Sequence, residues 1–433
     1  MAMQSLVIIL VILAFLLICG VPISYAIGIS ALAAIVQSVP VDVSVLTAAQ
    51  RTFVGMSNFG LTAIPFFILA GNLMNQGGIA KRLVNFVLAL LGKLPGALLV
   101  TNVGANALFG AISGSASAAA AAVGSMVEEG EREQGYDVSV CAATNGASAP
   151  SGLLIPPSNA LITYSLVSGG TSVAALFLGG YVPGFLWAIC CIAVAVAIAH
   201  KKGYKGQQGK FSWKTLGVAT LQAIPALSLI VVVIGGIVAG IFTATEGAAI
   251  SVVYALILSI CYRSITLKDF WRIVINSAKI SGMIVFLIGV SNILGWVMAF
   301  TQIPQAISAA LLGVTKSPVV ILLIMNLILL VSGTFMDVTP AILIFTPLFL
   351  PIVQTFGMHP VQFGLILVYN LCIGNITPPV GNTLFVAIKV GKTSLSKVMP
   401  YMLLYYAAIL IGLLLVTYVP IISLGLPQAA GLL

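Results

Sequence analysis

Apolar residues run through this chain in long stretches separated by short polar, glycine-rich or proline-rich breaks. Gly55–Asn75, Val173–Ala199, Leu216–Ala239, Ala248–Tyr262, Ile275–Phe300 and Met399–Leu424 each read as a continuous apolar helix. Around 20 such residues cross a hydrocarbon core of ~30 Å. The runs do not alternate with period two, so a membrane β-barrel is not the reading. Leu6–Val36 is interrupted at Gly20-Val-Pro22 and fits one kinked helix or two short ones. Val41–Gln50 is more polar and precedes the run that Arg51 begins. Gly77–Leu94 carries Lys81, Arg82 and Lys93 on an amphipathic pattern, as expected of a helix lying along the interface. Gln302–Ser317 resembles it.

Two apolar runs hold small polar islands. Ala97–Val127 contains Ser113-Gly-Ser-Ala-Ser117, and Pro318–Ile352 contains Gly333-Thr-Phe-Met-Asp-Val-Thr339. A tight turn at each island makes a re-entrant hairpin of two half-helices. Each hairpin is followed by a run with a proline break: Val138–Val167 at Pro150 and Pro156-Pro157, and Gln362–Lys389 at Pro378-Pro379. Irregular backbone at membrane depth is tolerated only when it is buried in protein or lines a cavity.

The two Pro-Pro pairs lie 222 positions apart (156 to 378). The same spacing carries Ser115 to Asp337, Ser117 to Thr339 and Gly60 to Gly282. It also carries Gly20-Val-Pro22 to Phe242-Thr-Ala244, which favours two short helices at the N-terminus. The chain therefore divides into a first repeat over residues 1–200, a basic connector over 201–215 and a second repeat over 216–433. The first holds a hairpin at about 97–127 and a broken helix at about 138–167; the second holds them at about 318–352 and 362–389. Each half has five full spans plus a hairpin. Five is odd, so the second half is inverted relative to the first.

Composition agrees with a lipid solvent. Only 6% of the 433 residues are charged and 60% are hydrophobic, against about 25% charged in soluble domains. The fold class expected is an all-α polytopic membrane protein with two inverted-topology repeats. The net charge of +9 is not read as nucleic-acid binding, because the cations sit at the ends of apolar runs. Placing His200–Lys214, with Lys201, Lys202, Lys205, Lys210 and Lys214, in the cytoplasm leaves only Arg51 and Lys316 of the 18 cations on the far side. Both termini then lie outside the cytoplasm. The first hairpin opens from the cytoplasm, the second from outside, and the tips meet near the midplane.

Inverted repeats with discontinuous helices point to a secondary transporter. Half-helix N-termini attract anions and C-termini attract cations. Hard cations such as Na⁺ need oxygen ligands, which the tips supply as carbonyls and hydroxyls. Asp337 is the one acidic residue placed deep in a hairpin, where a carboxylate costs ~2.5–3.5 kcal/mol; it reads as a site residue, as a helix cap, or as both. Ser115, Ser117 and Thr339 read equally as ligands or as helix-packing hydroxyls. Asn145, Ser158, Asn159, Asn375 and Asn382 flank the breaks, where freed backbone groups also need partners. Glu128, Glu129, Glu131 and Glu133 read as a solvated loop over Glu128–Asp137, and His359 before Pro360 reads as structural. Glu246 lies in an external break. The six cysteines read as small buried hydrophobes. No phosphate loop, zinc-protease motif or nucleophile elbow is present, so the chain is not expected to be an enzyme.

Several motifs carry a resemblance across nearly the whole chain, in order: Ile64-Pro-Phe-Phe-Ile-Leu-Ala-Gly71, Gly77-Gly-Ile-Ala-Lys-Arg-Leu83, Ser113-Gly-Ser115, Ile155-Pro-Pro-Ser158, Gly240-Ile-Phe-Thr-Ala-Thr-Glu246, Gly333-Thr-Phe-Met-Asp337 and Ile376-Thr-Pro-Pro-Val-Gly381. The chain resembles the large membrane subunit of tripartite ATP-independent periplasmic (TRAP) transporters. The resemblance implies a bacterial inner-membrane protein that imports an organic anion with Na⁺ by an elevator motion. It implies two partners, a small four-helix membrane subunit and a periplasmic substrate-binding protein. One Na⁺ site is implied at Ser113, Ser115, Asn145 and Pro156. A second is implied at Gly333, Thr334, Asp337, Thr339, Gly374 and Thr377. The anion, a C4-dicarboxylate or a sugar acid such as sialic acid, is implied at Asp337, Ser115, Ser117, Ser158, Asn159 and Asn382. The chain departs from the family pattern at Ser117-Ala-Ala-Ala-Ala-Ala122, where members commonly have an Asp, and at Asn72, where many have Glu. A binding-protein-independent Na⁺/carboxylate symporter is the nearest rival; a membrane-embedded enzyme would need convergent His, Asp or Cys within the spans.

Overall fold

The computed structural model describes residues 2–206 and 213–433, so Lys210 and the middle of the basic connector lie outside the described residues. The first half comprises α1 (Ala2–Ile18), α2 (Ile23–Ile35), α3 (Val41–Met56), α4 (Ala63–Gln76), α5 (Ile79–Leu91), α6 (Ala97–Ser113), α7 (Ala116–Glu133), α8 (Val138–Ser148), α9 (Ser151–Leu154), α10 (Asn159–Val167) and α11 (Val173–Lys202). The second comprises α12 (Trp213–Val238), α13 (Ala244–Cys261), α14 (Leu267–Phe300), α15 (Ile303–Val314), α16 (Pro318–Gly333), α17 (Val338–Gln354), α18 (Pro360–Gly374), α19 (Asn382–Val390), α20 (Leu395–Tyr418) and α21 (Pro420–Ala429). Among the described residues there is no strand. Five helices, α11 to α14 and α20, are long and apolar enough to cross a membrane.

Helix starts recur at the 222 spacing. Removing it from Val338 and Leu395, where α17 and α20 begin, gives Ala116 and Val173, where α7 and α11 begin. The halves differ most in their long early helices. Gly55–Asn75 is not one span: α3 and the run from Phe59 to Gln76 meet at a 57° bend, and α3 takes in the polar stretch before Arg51. Asn58 leaves the helical region (ψ 120) and its side chain accepts the Gly60 amide at 2.9 Å, capping a 3₁₀ turn. Pro65 follows in the first turn of α4. The matching positions in α14 are Ile280 and Leu287, neither of which can cap or break, and α14 runs unbroken for 34 residues.

Three other sequence expectations are corrected. The acidic stretch from Glu128 is not a loop but the last turns of α7, where Arg132 pairs with Glu128 at 2.8 Å one turn back. The break before α13 covers 239–243, and Thr243 and Glu246 form a reciprocal capping box there. The last apolar run splits into α20 and α21 at Pro420, which has no amide to continue the helix.

The helices pack in two groups. In one, α3 and α2 lie against α14, α4 against α13 and α5 against α12. In the other, α6 to α11 pack with α16 to α21, around the buried rings of Tyr164, Trp187, Tyr369 and Tyr405. The carbonyls released by the helix breaks are met from neighbouring spans. Trp187 Nε1 donates to the Ala147 carbonyl at 2.9 Å, and Tyr406 Oη donates to the Ile376 carbonyl at 2.6 Å. An unpaired carbonyl in lipid is costly, so these two side chains help make the breaks possible.

Candidate transport site at the hairpin tips

Each hairpin crosses its broken helix at a pair of glycines. A Cβ on Gly110 of α6 would lie 2.8 Å from the Cα of Gly152 in α9. A Cβ on Gly374 of α18 would overlap the backbone of Gly333 at the end of α16. Gly152 and Gly374 are 222 residues apart. Amide side chains clamp the same crossings nearby. Asn106 Nδ2 donates to Asn145 Oδ1 at 3.0 Å and to Ser148 Oγ at 2.9 Å; Asn370, at the position matching Ser148, donates to Asn326 Oδ1 at 2.9 Å. The broken helices thus hold the hairpin tips in register.

At the first tip the chain reverses through Gly114 (φ 62), and Ser115 caps α7 by accepting the Ala118 amide at 3.3 Å. Ser115 and Ser117 hydroxyls lie 3.2 Å apart, and Ser113 Oγ donates to the Ser115 carbonyl at 3.3 Å. A Cβ on Gly114 would lie 2.6 Å from Asn159 Nδ2, so this tip meets the start of α10. Ser158 caps α10 through the Leu161 amide at 3.4 Å and also donates to the Leu153 carbonyl. The N-termini of α7 and α10 therefore come together with Ser115 and Asn159, an arrangement that favours an anion. Asn159 Oδ1 is buried without a partner.

The second tip is different chemistry on similar geometry. The Thr334 carbonyl accepts the Val380 amide at 3.2 Å, joining tip to break. Asp337 caps α17 by accepting the Val338 amide at 2.9 Å, and its side chain remains exposed. Thr339 is half-buried in the first turn of α17, and Asn382 is exposed at the start of α19. Thr334 and Thr377 hydroxyls donate to the Val331 and Ile373 carbonyls at 2.8 and 2.6 Å, leaving their lone pairs free to accept. Across the loop between α18 and α19, Thr383 N donates to the Asn375 carbonyl at 3.2 Å. Asn375 Oδ1 and Thr383 Oγ1 are both buried with no partner.

The sequence-derived ligands are therefore not all alike. Ser113, Ser115, Ser117, Ser158 and Asn159 gather at the first tip; Gly333, Thr334, Gly374 and Thr377 gather at the second, beside Asp337. Pro156 is buried between them in sequence order, in the linker from α9 to α10. Asn145 is committed elsewhere: its Nδ2 donates to the Ala120 carbonyl at 2.8 Å while its Oδ1 accepts from Asn106, tying α8 to both hairpin arms. Asn72 is committed too, donating to Ser277 Oγ at 2.8 Å and so joining α4 to α14. Sequence reasoning missed Thr383, which sits one residue inside the new helix with nothing to mark it. It also missed Glu131, a carboxylate only 5% exposed. Glu131 lines a water-sized cavity of about 20 Å³ with Asn102, Tyr136 and Cys141 at the charged end of α7. Burial pushes its carboxyl up to about 7. Among the described residues no three His, Cys, Asp or Glu side chains gather as a metal cluster. A cation at the tips would meet neutral oxygens and one carboxylate, a donor set suited to a hard ion.

Residues 10–422 match the family described as the tripartite ATP-independent periplasmic transporter, DctM component. The chain belongs to that family. It is a large permease subunit of the TRAP class, a transport protein and not an enzyme. It is 48% identical to YgiK of Salmonella typhimurium, described as uncharacterized, over 96% of this chain and 95% of that one. It is 37% identical to the C4-dicarboxylate TRAP transporter large permease protein DctM of Rhodobacter capsulatus, over 99% of this chain and 100% of that one. Identity is 40% with the isethionate TRAP transporter permease protein DctMQ of Oleidesulfovibrio alaskensis, over 95% of this chain but 64% of that longer one. The Alcanivorax borkumensis YdaH transporter, whose topology is described as unusual, shares the fold with a TM-score of 0.63 and 15% identity, over 92% of this chain and 90% of that one. A TRAP permease with several apolar helices fits a multi-pass inner-membrane protein, and the family implies a small membrane subunit and a periplasmic binding protein as partners.

Proposed function

We propose that this TRAP permease imports an organic anion together with Na⁺, the anion being handed over by a periplasmic binding protein. The observation that carries this reading is the pairing of each hairpin tip with a helix break that leaves buried acceptor oxygens unmet: Asn159 Oδ1 at the first, Asn375 Oδ1 and Thr383 Oγ1 at the second. A buried acceptor without a partner costs about 1–3 kcal/mol, so it is retained where something fills it. Na⁺ supplies that partner at the second tip, with the Thr334 and Thr377 hydroxyls beside it. The anion sits between Asp337, the Ser115–Ser117 tip and the α7 and α10 N-termini. Na⁺ at the second tip offsets the repulsion that Asp337 presents to the anion, which makes binding of the two interdependent.

Transport itself is read as an elevator. The α6–α11 and α16–α21 group moves as a body against the group of α1 to α4 and α12 to α14, with the amphipathic arms α5 and α15 joining them. C4-dicarboxylates, isethionate and sialic acid are the substrates to test first, since each presents a carboxylate or sulfonate. The test is uptake into liposomes holding the permease with its small subunit, with and without the binding protein. Uptake should require inward Na⁺ and the binding protein, and Asp337→Asn should abolish it while leaving complex assembly intact. Robust uptake without the binding protein would instead favour a self-sufficient symporter. Uptake by Asp337→Asn at the wild-type rate would remove Asp337 from the site.

A further inference from the structure

A second cavity, of about 380 Å³, lies apart from the two tips. One wall is α3 and α14; the other is the end of α10, through Leu166 and Val167, with Leu343 and Pro347 of α17. It therefore sits between the two helix groups, next to the outer arm of the second hairpin. Arg51 lies over the Trp296 ring, 5.7 Å from its centroid. Among the described residues, no carboxylate pairs with Arg51 and none lines the cavity. Ser291, only 5% exposed, also lines it, and its Oγ has no partner. Asn58 and Asn292 complete a polar rim, opposite the apolar wall of Leu166, Val167 and Leu343.

A cation without a counter-ion, a buried hydroxyl without a partner and an apolar wall describe a receptor for a small organic anion. A guanidinium binds carboxylate through paired hydrogen bonds, and the Trp296 ring lies beneath this one. Arg51 is also one of the two cations that the charge distribution leaves on the non-cytoplasmic side. We propose that this groove is an outer docking site for the carboxylate of an organic anion, held by Arg51 and Ser291 before the anion reaches the hairpin tips. The proposal rests on the transport reading for its direction, but the site itself is defined by its own residues. Its walls belong to different helix groups, so an anion bound there also reports their relative position.

The test uses Trp296 as the reporter, in the full chain with its small subunit in phosphatidylcholine nanodiscs without Na⁺ or binding protein. Succinate, N-acetylneuraminate and isethionate are titrated against tryptophan fluorescence, with succinamide as the uncharged control. At least one anion should give a saturable change that Trp296→Phe removes. Arg51→Gln should raise its half-saturation concentration about tenfold, as expected for loss of a charge-assisted bond, with Arg51→Lys in between. Lys316→Gln, which removes the other non-cytoplasmic cation, should leave the titration unchanged. No response to any of the three anions, or equal titrations for wild type and Arg51→Gln, would overturn the site. A response only when phosphatidylglycerol is added would assign the groove to a lipid headgroup and overturn it as well. Na⁺-independent uptake, by contrast, would defeat the transport reading without touching the titration.

Discussion

Thr383, in the first turn of α19, buries a hydroxyl that meets no protein group, and Asn375, at the end of α18, buries a carbonyl oxygen in the same condition. At the matching positions of the first half stand Leu153 and Leu161, so the fold itself accepts apolar side chains there. Thr383→Val keeps the shape and removes the oxygen. In Na⁺-free buffer it should be neutral or stabilising by about 1 kcal/mol, because an unmet buried polar group is lost. It should also weaken the rise in melting temperature that Na⁺ gives the wild type. A Na⁺-induced shift equal to wild type in Thr383→Val would place the ion elsewhere. Glu131 offers a second contrast, at the charged end of α7 beyond the apolar stretch. Its carboxyl is raised from 4.5 to about 7, chiefly by burial and secondarily by Glu128. The folded protein then holds a proton that the unfolded chain has released between about pH 4.5 and 7, so stability falls as pH rises through that window. The full loss is roughly 3 kcal/mol at most. Glu131→Gln should therefore melt higher than wild type at pH 8 and alike at pH 5. Parallel melting curves at both values would mean that Glu131 is already ionised in a wetter setting.

At the scale of elements, the glycine crossings set how closely a hairpin can approach its broken helix. A methyl on Gly374 would overlap the Gly333 backbone, and neither partner has a side chain to swing aside. Gly374→Ala should cost several kcal/mol, at the upper end for overpacking, and should be read out as loss of folded protein in detergent. Gly235→Ala, in α12 with open space around it, should be neutral or slightly stabilising. Equal yields of the two variants would show that the hairpin is not held at this crossing. Much at this scale was legible in the sequence. Ser113–Ser117 and Gly333–Thr339 interrupt apolar runs with residues that stop helices, and Pro-Pro cannot continue one. What escaped was local and short. The bend after α3 hangs on Asn58 and Pro65, two residues inside an otherwise unbroken apolar pattern. The acidic run reads as a loop from its charge alone, but its spacing is helical: Glu128 and Arg132 pair across one turn while Glu131 faces inward. The orphan oxygens were invisible because partnership is a property of packing, and nothing in the order of residues states which hydroxyl is left over.

For the whole molecule, the decisive issue is which way each half faces. One end of the helical group that carries the tips collects cations through specific contacts: Lys392 after α19 reaches Glu128 of α7 at 3.4 Å, Arg132 pairs with the same carboxylate, and Lys202 of α11 meets Asp137 before α8 at 2.7 Å. Tyr401 of α20 adds a hydrogen bond to Asp137 at 3.2 Å. Under the positive-inside rule this end faces the cytoplasm. If each half holds an odd number of spans, as the sequence reading expects, positions 222 apart fall on opposite sides of the membrane. Glu133, at the end of α7, and Thr355, just after α17, are such a pair, and both are exposed. In a background with all six native cysteines replaced by serine, an impermeant maleimide applied to intact spheroplasts should label Thr355→Cys and spare Glu133→Cys. Permeabilisation should make both reactive. Labelling of both positions in intact cells, or of Glu133→Cys alone, would break the inverted arrangement, and with it the expectation that one hairpin enters from each side.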